Sequence, residues 1–90
     1  MKKILVATGT SKNKMNFAVE TIKNYCAGKN IEVEVKGVNI YEMEIEKENP
    51  DVIVTIGPSD LKTGIPILQG TAFITKIGMD KACEEIVKYL

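Results

Sequence analysis

The sequence predicts an α/β fold with a small four-stranded, mostly parallel sheet and helices on both of its faces. Short apolar segments typical of buried strands alternate along the chain with segments whose apolar residues recur at helical spacing. A chain of 90 residues is long enough for one hydrophobic core and too short for two, so we expect a single domain over residues 1–90.

The first strand and the first helix have the clearest patterns. Residues 3–8 are apolar at nearly every position, which is typical of a central strand buried on both faces. Apolar residues then recur every three or four positions over about 13–27 and predict a helix. We expect Ser11 or Asn13 to cap its start and Gly28, in a left-handed conformation, to cap its end.

The remaining elements follow from the same two periodicities and from breaks at glycine and proline. They are an edge strand over 31–36, a short helix or irregular crossover over 39–48, a buried strand over 51–56, a short edge strand over 65–68, a connection over 70–76 anchored by Phe73 and Ile74, and a helix over 79–90. Ligands of such sheets bind at the carboxyl ends of the strands, where the loops 8–14, 57–64 and 69–76 would meet.

The composition excludes several kinds of chemistry. The chain has no histidine, which removes imidazole metal sites and Ser-His or Cys-His nucleophile pairs. All twelve basic residues are lysine, so no guanidinium can clamp a phosphate in bidentate fashion. We expect no metal and no cofactor. Cys26 and Cys83 each fall within a helical pattern, and we expect two reduced, partly buried thiols.

The charge is balanced overall but unevenly distributed. A formal net charge of zero gives no reason to expect nucleic-acid binding. Residues 1–14 contain four lysines and no acid, whereas residues 42–51 contain five acids and one lysine. These segments are either two solvated surfaces, or a basic end for an anion and an acidic face for solubility or a partner.

No apolar segment suggests a membrane or an export signal. None approaches the roughly 20 residues that cross a bilayer. The apolar run that follows Lys2 and Lys3 ends at Ala7, which is too early for a signal peptide. We therefore expect a cytoplasmic protein that does not insert into membranes.

The turn between the first strand and the first helix is the strongest candidate for a functional site. The unpaired N–H groups and the dipole at a helix N-terminus favour anions, and two lysines add positive charge. The turn matches neither a dinucleotide fingerprint nor a P-loop, so we do not expect nucleotide hydrolysis. The predicted phosphate-binding residues are Gly9, Thr10, Ser11, Lys12, Asn13 and Lys14. Ser59 and Asp60 are predicted at the edge of the site, although Pro-Ser-Asp is also ordinary turn chemistry.

Three segments carry a family resemblance. They are Lys-Lys-Ile-Leu-Val-Ala at 2–7, Gly-Ile-Pro-Ile-Leu-Gln-Gly at 64–70 and Ala-Phe-Ile-Thr-Lys-Ile-Gly at 72–78. With this element order, the chain resembles enzyme IIB components of the sugar phosphotransferase system (PTS), of the galactitol type. The resemblance implies a Rossmann-like fold with a phosphate-binding loop after the first strand. It also implies that a loop cysteine takes a phosphoryl group from the IIA component and passes it to a sugar in the membrane component IIC.

The catalytic position departs from that family. The cysteine of the family directly follows the first strand and precedes a glycine, and Thr8 occupies this position here. A threonine hydroxyl is far more basic than a thiol, and no histidine is present to act as its base. The first hypothesis is a IIB component that is altered at the nucleophile or that uses Thr8, Thr10 or Ser11. The alternative is a non-catalytic phosphate-binding or regulatory relative, and a third interpretation is a tight strand-to-helix connection without function.

Overall fold

A computed structural model describes residues 2–9, 12–39, 41, 45–56 and 63–90. The elements in chain order are β1 (Lys2–Thr8), α1 (Lys12–Gly28), β2 (Val33–Asn39), α2 (Ile45–Glu48), β3 (Val52–Ile56), β4 (Ile67–Gln69), α3 (Thr71–Thr75) and α4 (Met79–Val87). The strands form one four-stranded sheet in the order β2-β1-β3-β4, and every neighbouring pair is parallel. The predicted fold class is confirmed.

The central strand β1 is buried on both faces. Residues 4–7 are each 0% exposed. Alternation along the strand directs Ile4 and Val6 to one face of the sheet and Leu5 and Ala7 to the other. The continuous apolar run therefore belongs to a strand that has a neighbour on each edge and a layer on each face.

Three helices cover the face that carries Ile4 and Val6. Their buried side chains are Met15, Ala18, Ile22 and Cys26 of α1, Phe73 of α3, and Cys83 and Ile86 of α4. The short helix α2 lies on the opposite face. Its Glu48 carboxylate forms an ion pair with the ammonium group of Lys3 at 2.6 Å and accepts a hydrogen bond from that of Lys36 at 2.9 Å. By alternation, both lysines share the face of Leu5.

Ion pairs bind Lys2 and Lys3 to carboxylates at the amino end of the sheet. Lys2 lies 4.0 Å from Asp51, and Lys3 lies 3.3 Å from Glu34. The hydrogen bond to Glu48 raises the pKa of Lys3, and the hydrogen bonds from Lys3 and then Lys36 lower the pKa of Glu48. The interpretation of residues 1–14 as one basic end is therefore wrong, because these pairs lie at the opposite end of β1 from Lys12.

Helix α1 ends differently from the prediction. Gly28 is its last helical residue, and the left-handed residue is Asn30, with φ of 59°. The Ile31 N–H donates to the Cys26 carbonyl at 2.9 Å. The Asn30 N–H donates to the Ala27 carbonyl at 3.2 Å. This pair of bonds is a Schellman motif with asparagine, rather than Gly28, in the left-handed position.

Two other segments also differ from the prediction. Strand β2 starts at Val33 and runs to Asn39, because its pairing with β1 continues to the last residue of that strand. The segment 70–76, predicted as a connection, contains the helix α3. Burial of Phe73 in the core stabilises this single turn, and a left-handed Lys76 with φ of 62° ends it.

Gly70 is predicted to be intolerant of a side chain. Its N–H donates to the Thr55 carbonyl at 2.6 Å, and an added Cβ would lie 2.5 Å from Cδ1 of Ile56. We expect Gly70→Ala to lower the free energy of unfolding by about 1–3 kcal/mol, because the site is overpacked. At Gly64 a Cβ meets nothing within 4 Å, so Gly64→Ala should change stability by less than about 0.5 kcal/mol. Chemical denaturation measures the free energy of unfolding of both variants. Equal values for Gly70→Ala and Gly64→Ala would contradict the close packing around Gly70.

Candidate functional site

The candidate site lies at the carboxyl edge of the sheet, where β1 ends and α1 begins. A cavity of about 430 Å³ opens at this point. Its described lining residues come from three elements and the turn between them, and are Thr8, Gly9, Lys12, Met15, Gly37, Val38 and Asn39. The structure thus brings together three of the residues that the sequence predicts for the site, Thr8, Gly9 and Lys12.

The other predicted site residues lie outside this group. Asn13 and Lys14 are exposed on the first turn of α1 and do not line the cavity. Because α1 already begins at Lys12, Asn13 lies within the helix and is not its N-cap. Four predicted residues fall outside the described part of the chain and remain predictions, namely Thr10, Ser11, Ser59 and Asp60.

Thr8 is the last residue of β1, and its side chain is engaged with the neighbouring strand. The residue is only 5% exposed, and its hydroxyl donates to the Ile56 carbonyl of β3 at 3.4 Å. Alternation places it on the same face as Ile4 and Val6, which is the face that α1 covers. The hydroxyl group therefore lies in a buried wall of the site and contacts the main chain of the sheet.

The α1 side of the cavity is electropositive. The N–H groups in the first turn of a helix lack intrahelical acceptors, and the helix dipole adds to their attraction for anions. Lys12 contributes a full positive charge, and none of the described lining residues is acidic. This wall of the cavity therefore favours a negatively charged ligand.

Residues of β2 form the opposite wall of the cavity. The sequence analysis did not predict that they belong to the site. Asn39 lies beside Thr8 in the register of the two strands. Gly37 faces Met15, and a Cβ added there would lie 3.0 Å from the Met15 methyl carbon. The lack of a side chain at Gly37 therefore lets the Met15 side chain of α1 pack directly against β2.

Tyr41 covers the glycine of the turn and was also missed. An added Cβ on Gly9 would lie 3.1 Å from Cε2 of the Tyr41 ring. The Tyr41 N–H donates to Oδ1 of Asn39 at 2.8 Å, which is an Asx turn. Asparagine at the end of a strand is a local signal for such a turn, but the prediction had ended that strand at residue 36.

Neither cysteine can serve as the nucleophile of this site. Cys26 on α1 and Cys83 on α4 are each 1% exposed in the main core. Burial raises the pKa of the Cys26 thiol. Burial, with smaller effects of Cys26 and Asp80, raises the pKa of Cys83 to about 11. Both thiols are free, and both are buried where the sequence analysis expected partial burial.

Within the described residues, no three histidine, cysteine, aspartate or glutamate side chains lie close enough to hold a metal ion. No helix in the described ranges is long and apolar enough to cross a membrane.

Both thiols are expected to be unreactive in the folded protein. With a pKa of about 11, only roughly one Cys83 side chain in a thousand is a thiolate at pH 8. We predict slow reaction of the native protein with a disulfide reagent, rising about tenfold per pH unit until unfolding intervenes. The protein unfolded in guanidinium serves as the control and should show two reactive thiols. Rapid reaction of one equivalent in the native state would contradict the burial of both.

Comparison with known proteins relates the chain to phosphotransferase components. No protein-family model matches it. It is 29% identical over 86 residues to the "Putative phosphotransferase enzyme IIB component SgcB" of Escherichia coli K12, across 96% of this chain and 94% of that protein. Its fold is similar to the lactose-specific IIB component domain of the phosphoenolpyruvate:carbohydrate PTS from Streptococcus pneumoniae. That match has a TM-score of 0.71 at 13% identity and covers 98% of this chain and 96% of the other. This chain therefore has the fold of a PTS enzyme IIB domain and is related in sequence to an enzyme IIB component.

Proposed function

We propose that this chain is a cytoplasmic enzyme IIB-type component of a sugar PTS, with a IIA protein as its phosphoryl donor and a membrane IIC component as its acceptor. The relationship in sequence and the shared fold support this proposal. The strongest support for it is that Thr8, Gly9 and Lys12 line the same cavity. The resemblance assigns the phosphoryl group to the turn that contains these residues.

The galactitol type of the system is a narrower part of the proposal. Its support is the sequence of 64–70 and 72–78, which resembles the corresponding segments of galactitol IIB components. In the fold, these segments include β4 and α3 and the crowded Gly70 between them. None of their residues is among those that line the cavity, so they bear on the type of component rather than on the chemistry of the turn.

Phosphoryl transfer at Thr8 would be chemically difficult. A bond from phosphorus to the threonine Oγ1 would form as the bond to a histidine nitrogen of IIA breaks, and the hydroxyl proton would have to leave. That hydroxyl is buried and donates to the Ile56 carbonyl, and the chain has no imidazole to take the proton. A threonine phosphate is also an ordinary ester and a poorer phosphoryl donor than a cysteine thiophosphate.

A second candidate function is therefore a non-catalytic, phosphate-binding or regulatory relative of IIB. The engagement of the Thr8 hydroxyl with the sheet favours this candidate. Lys12 and the first turn of α1 would still attract an anion, because neither depends on a thiol. The turn would then bind a phosphate group without accepting it covalently.

Thr8→Cys is expected to gain phosphoryl transfer. A thiol beside a helix N-terminus ionises near neutral pH and needs no separate base. Incubation with a radiolabelled, phosphorylated galactitol-type IIA should label this variant at position 8. The native protein should be labelled at least about a hundredfold more slowly, because it lacks a general base. Mass spectrometry locates the label, and Thr8→Ala controls for transfer to other residues.

The possible outcomes separate the two candidates. Labelling of neither the native protein nor Thr8→Cys would contradict a IIB-type function. Labelling of native Thr8 as fast as the cysteine variant would eliminate the non-catalytic alternative. Labelling of the cysteine variant alone is the result that we expect, and it would identify a IIB framework whose own transfer chemistry is lost.

A further inference from the structure

Strand β2 forms one edge of the sheet, and it is long for an edge strand. It has seven residues and pairs with β1 along its whole length. In the order β2-β1-β3-β4, no described strand lies on its other side. The outward N–H and C=O groups of such an edge are a template for pairing with a further strand.

The hydrogen bonds of β1 determine which backbone groups of β2 point outward. The Lys3 carbonyl accepts from the Asp51 N–H at 2.8 Å, so the backbone groups of Lys3 face β3 and those of Ile4 face β2. In a parallel ladder, a residue that faces its neighbour bonds to the two residues that flank its register partner. The register partner of Ile4 is Val35. The N–H and C=O groups of Val35 therefore point away from β1.

The same alternation gives Val33 and Gly37 outward groups as well. A second copy of β2, related to the first by a two-fold axis and running antiparallel to it, can meet all of these groups. A pairing centred on Val35 sets Val35 opposite Val35 of the second copy. It also sets Val33 opposite Gly37 of the second copy, and each of these is a hydrogen-bonded pair.

The charges of β2 favour this register over its neighbours. Pairing centred on Val35 sets Glu34 opposite Lys36 of the second copy, and the symmetry makes this contact twice. Besides their ion pairs within the chain, the two side chains remain 57% and 51% exposed, respectively. Pairing centred on Glu34 or on Lys36 would instead set like charges against each other at the two-fold axis.

Two open cavities lie at the two ends of this edge, between β2 and α1. One is the candidate site at the carboxyl end, and the other, of about 380 Å³, lies at the amino end. The second cavity is lined by Lys23, Ala27, Ile31, Glu32 and Val33. Antiparallel pairing brings the amino end of each β2 to the carboxyl end of the other, so each copy would border the candidate site of its partner.

We propose that the outer edge of β2 is an interface for a second copy of this chain. The two β2 strands pair antiparallel about Val35 and join the two four-stranded sheets into one. Each copy then places Val33 beside Gly37, at the candidate site of the other. This interface does not depend on phosphoryl transfer, so the inference goes beyond the proposed function.

Sedimentation equilibrium of the native protein tests for the dimer. Because an interface of seven residues a side is small, we expect a dissociation constant in the micromolar to millimolar range. The average mass should rise toward twice that of one chain between about 10 µM and about 1 mM protein. A mass that stays at the value of one chain over this range would overturn the inference.

Two charge variants test the register. Glu34→Lys and Lys36→Glu should each weaken self-association by about tenfold or more, because each sets two pairs of like charges across the axis. A mixture of the two variants should associate again, because opposite charges then meet at both pairs. Thermal melts at a concentration where the native protein is monomeric show whether each variant folds.

Glu32→Lys is the matched control. It makes the same change of charge just outside β2, at a residue that this register sets opposite Val38 of the second copy. Its self-association should stay within about threefold of the native value. Loss of association in this control to the same extent as in Glu34→Lys, or failure of the mixed variants to associate, would contradict the register.

Amide hydrogen exchange of the native protein tests the same pairing without a substitution. The Val35 N–H should exchange about tenfold more slowly at about 1 mM than at about 10 µM protein, because it donates to the second copy. Ile67 of β4 is the control. The Ile53 N–H donates to the Pro66 carbonyl, so Ile67 faces outward at the other edge of the sheet. Concentration-independent exchange of Val35, or slowing at Ile67 instead, would overturn pairing through β2.

Discussion

The parallel pairing of β1 with β2 on one side and β3 on the other determines where the other elements lie. Its residues 4–7 are wholly buried, and its register places Thr8 between Asn39 and Ile56. Because parallel strands run in one direction, their carboxyl ends meet at one edge and the chain must cross over a face to return. The position of the cavity at that edge follows from the order and direction of the strands. It does not depend on which residue occupies the nucleophile position in the turn.

The lysines at the two ends of this strand have different surroundings. At the amino end, Lys2 and Lys3 are bound to the carboxylates of Asp51, Glu34 and Glu48. At the carboxyl end, Lys12 lines a cavity without a described acidic neighbour. These carboxylates thus neutralise Lys2 and Lys3, while the positive charge of Lys12 remains where α1 begins. Attraction for an anion and transfer of a phosphoryl group are separate properties, and the structure supports the first more directly than the second.

The apolar patterns in the sequence predicted β1 and α1, whose positions follow from their buried residues. They could not predict features that depend on pairing between strands. The apolar run of β1 and the helical stripe of α1 agree with the structure within two residues at each end. The length of β2 depends on how far its pairing with β1 continues. The prediction therefore missed that Asn39 belongs to β2 and lines the cavity. A helix as short as α3 depends on burial of Phe73 against distant elements. Thr8, Gly9 and Lys12 were found because they lie close together in the sequence, whereas Gly37 and Asn39 reach the cavity only through the pairing of β2 with β1.

Anion binding at the carboxyl end of β1 is tested most directly by titrating the native, ¹⁵N-labelled protein with inorganic phosphate and following its amide resonances. If the start of α1 and Lys12 hold the anion, the shifts of Gly9, Lys12 and Asn39 should change together and saturate at millimolar phosphate. Those of Lys23 and Val33, which line a separate cavity, should stay constant. Absence of any response at Gly9 and Lys12, or a response confined to the lysines at the amino end, would contradict the assignment of this edge as an anion site.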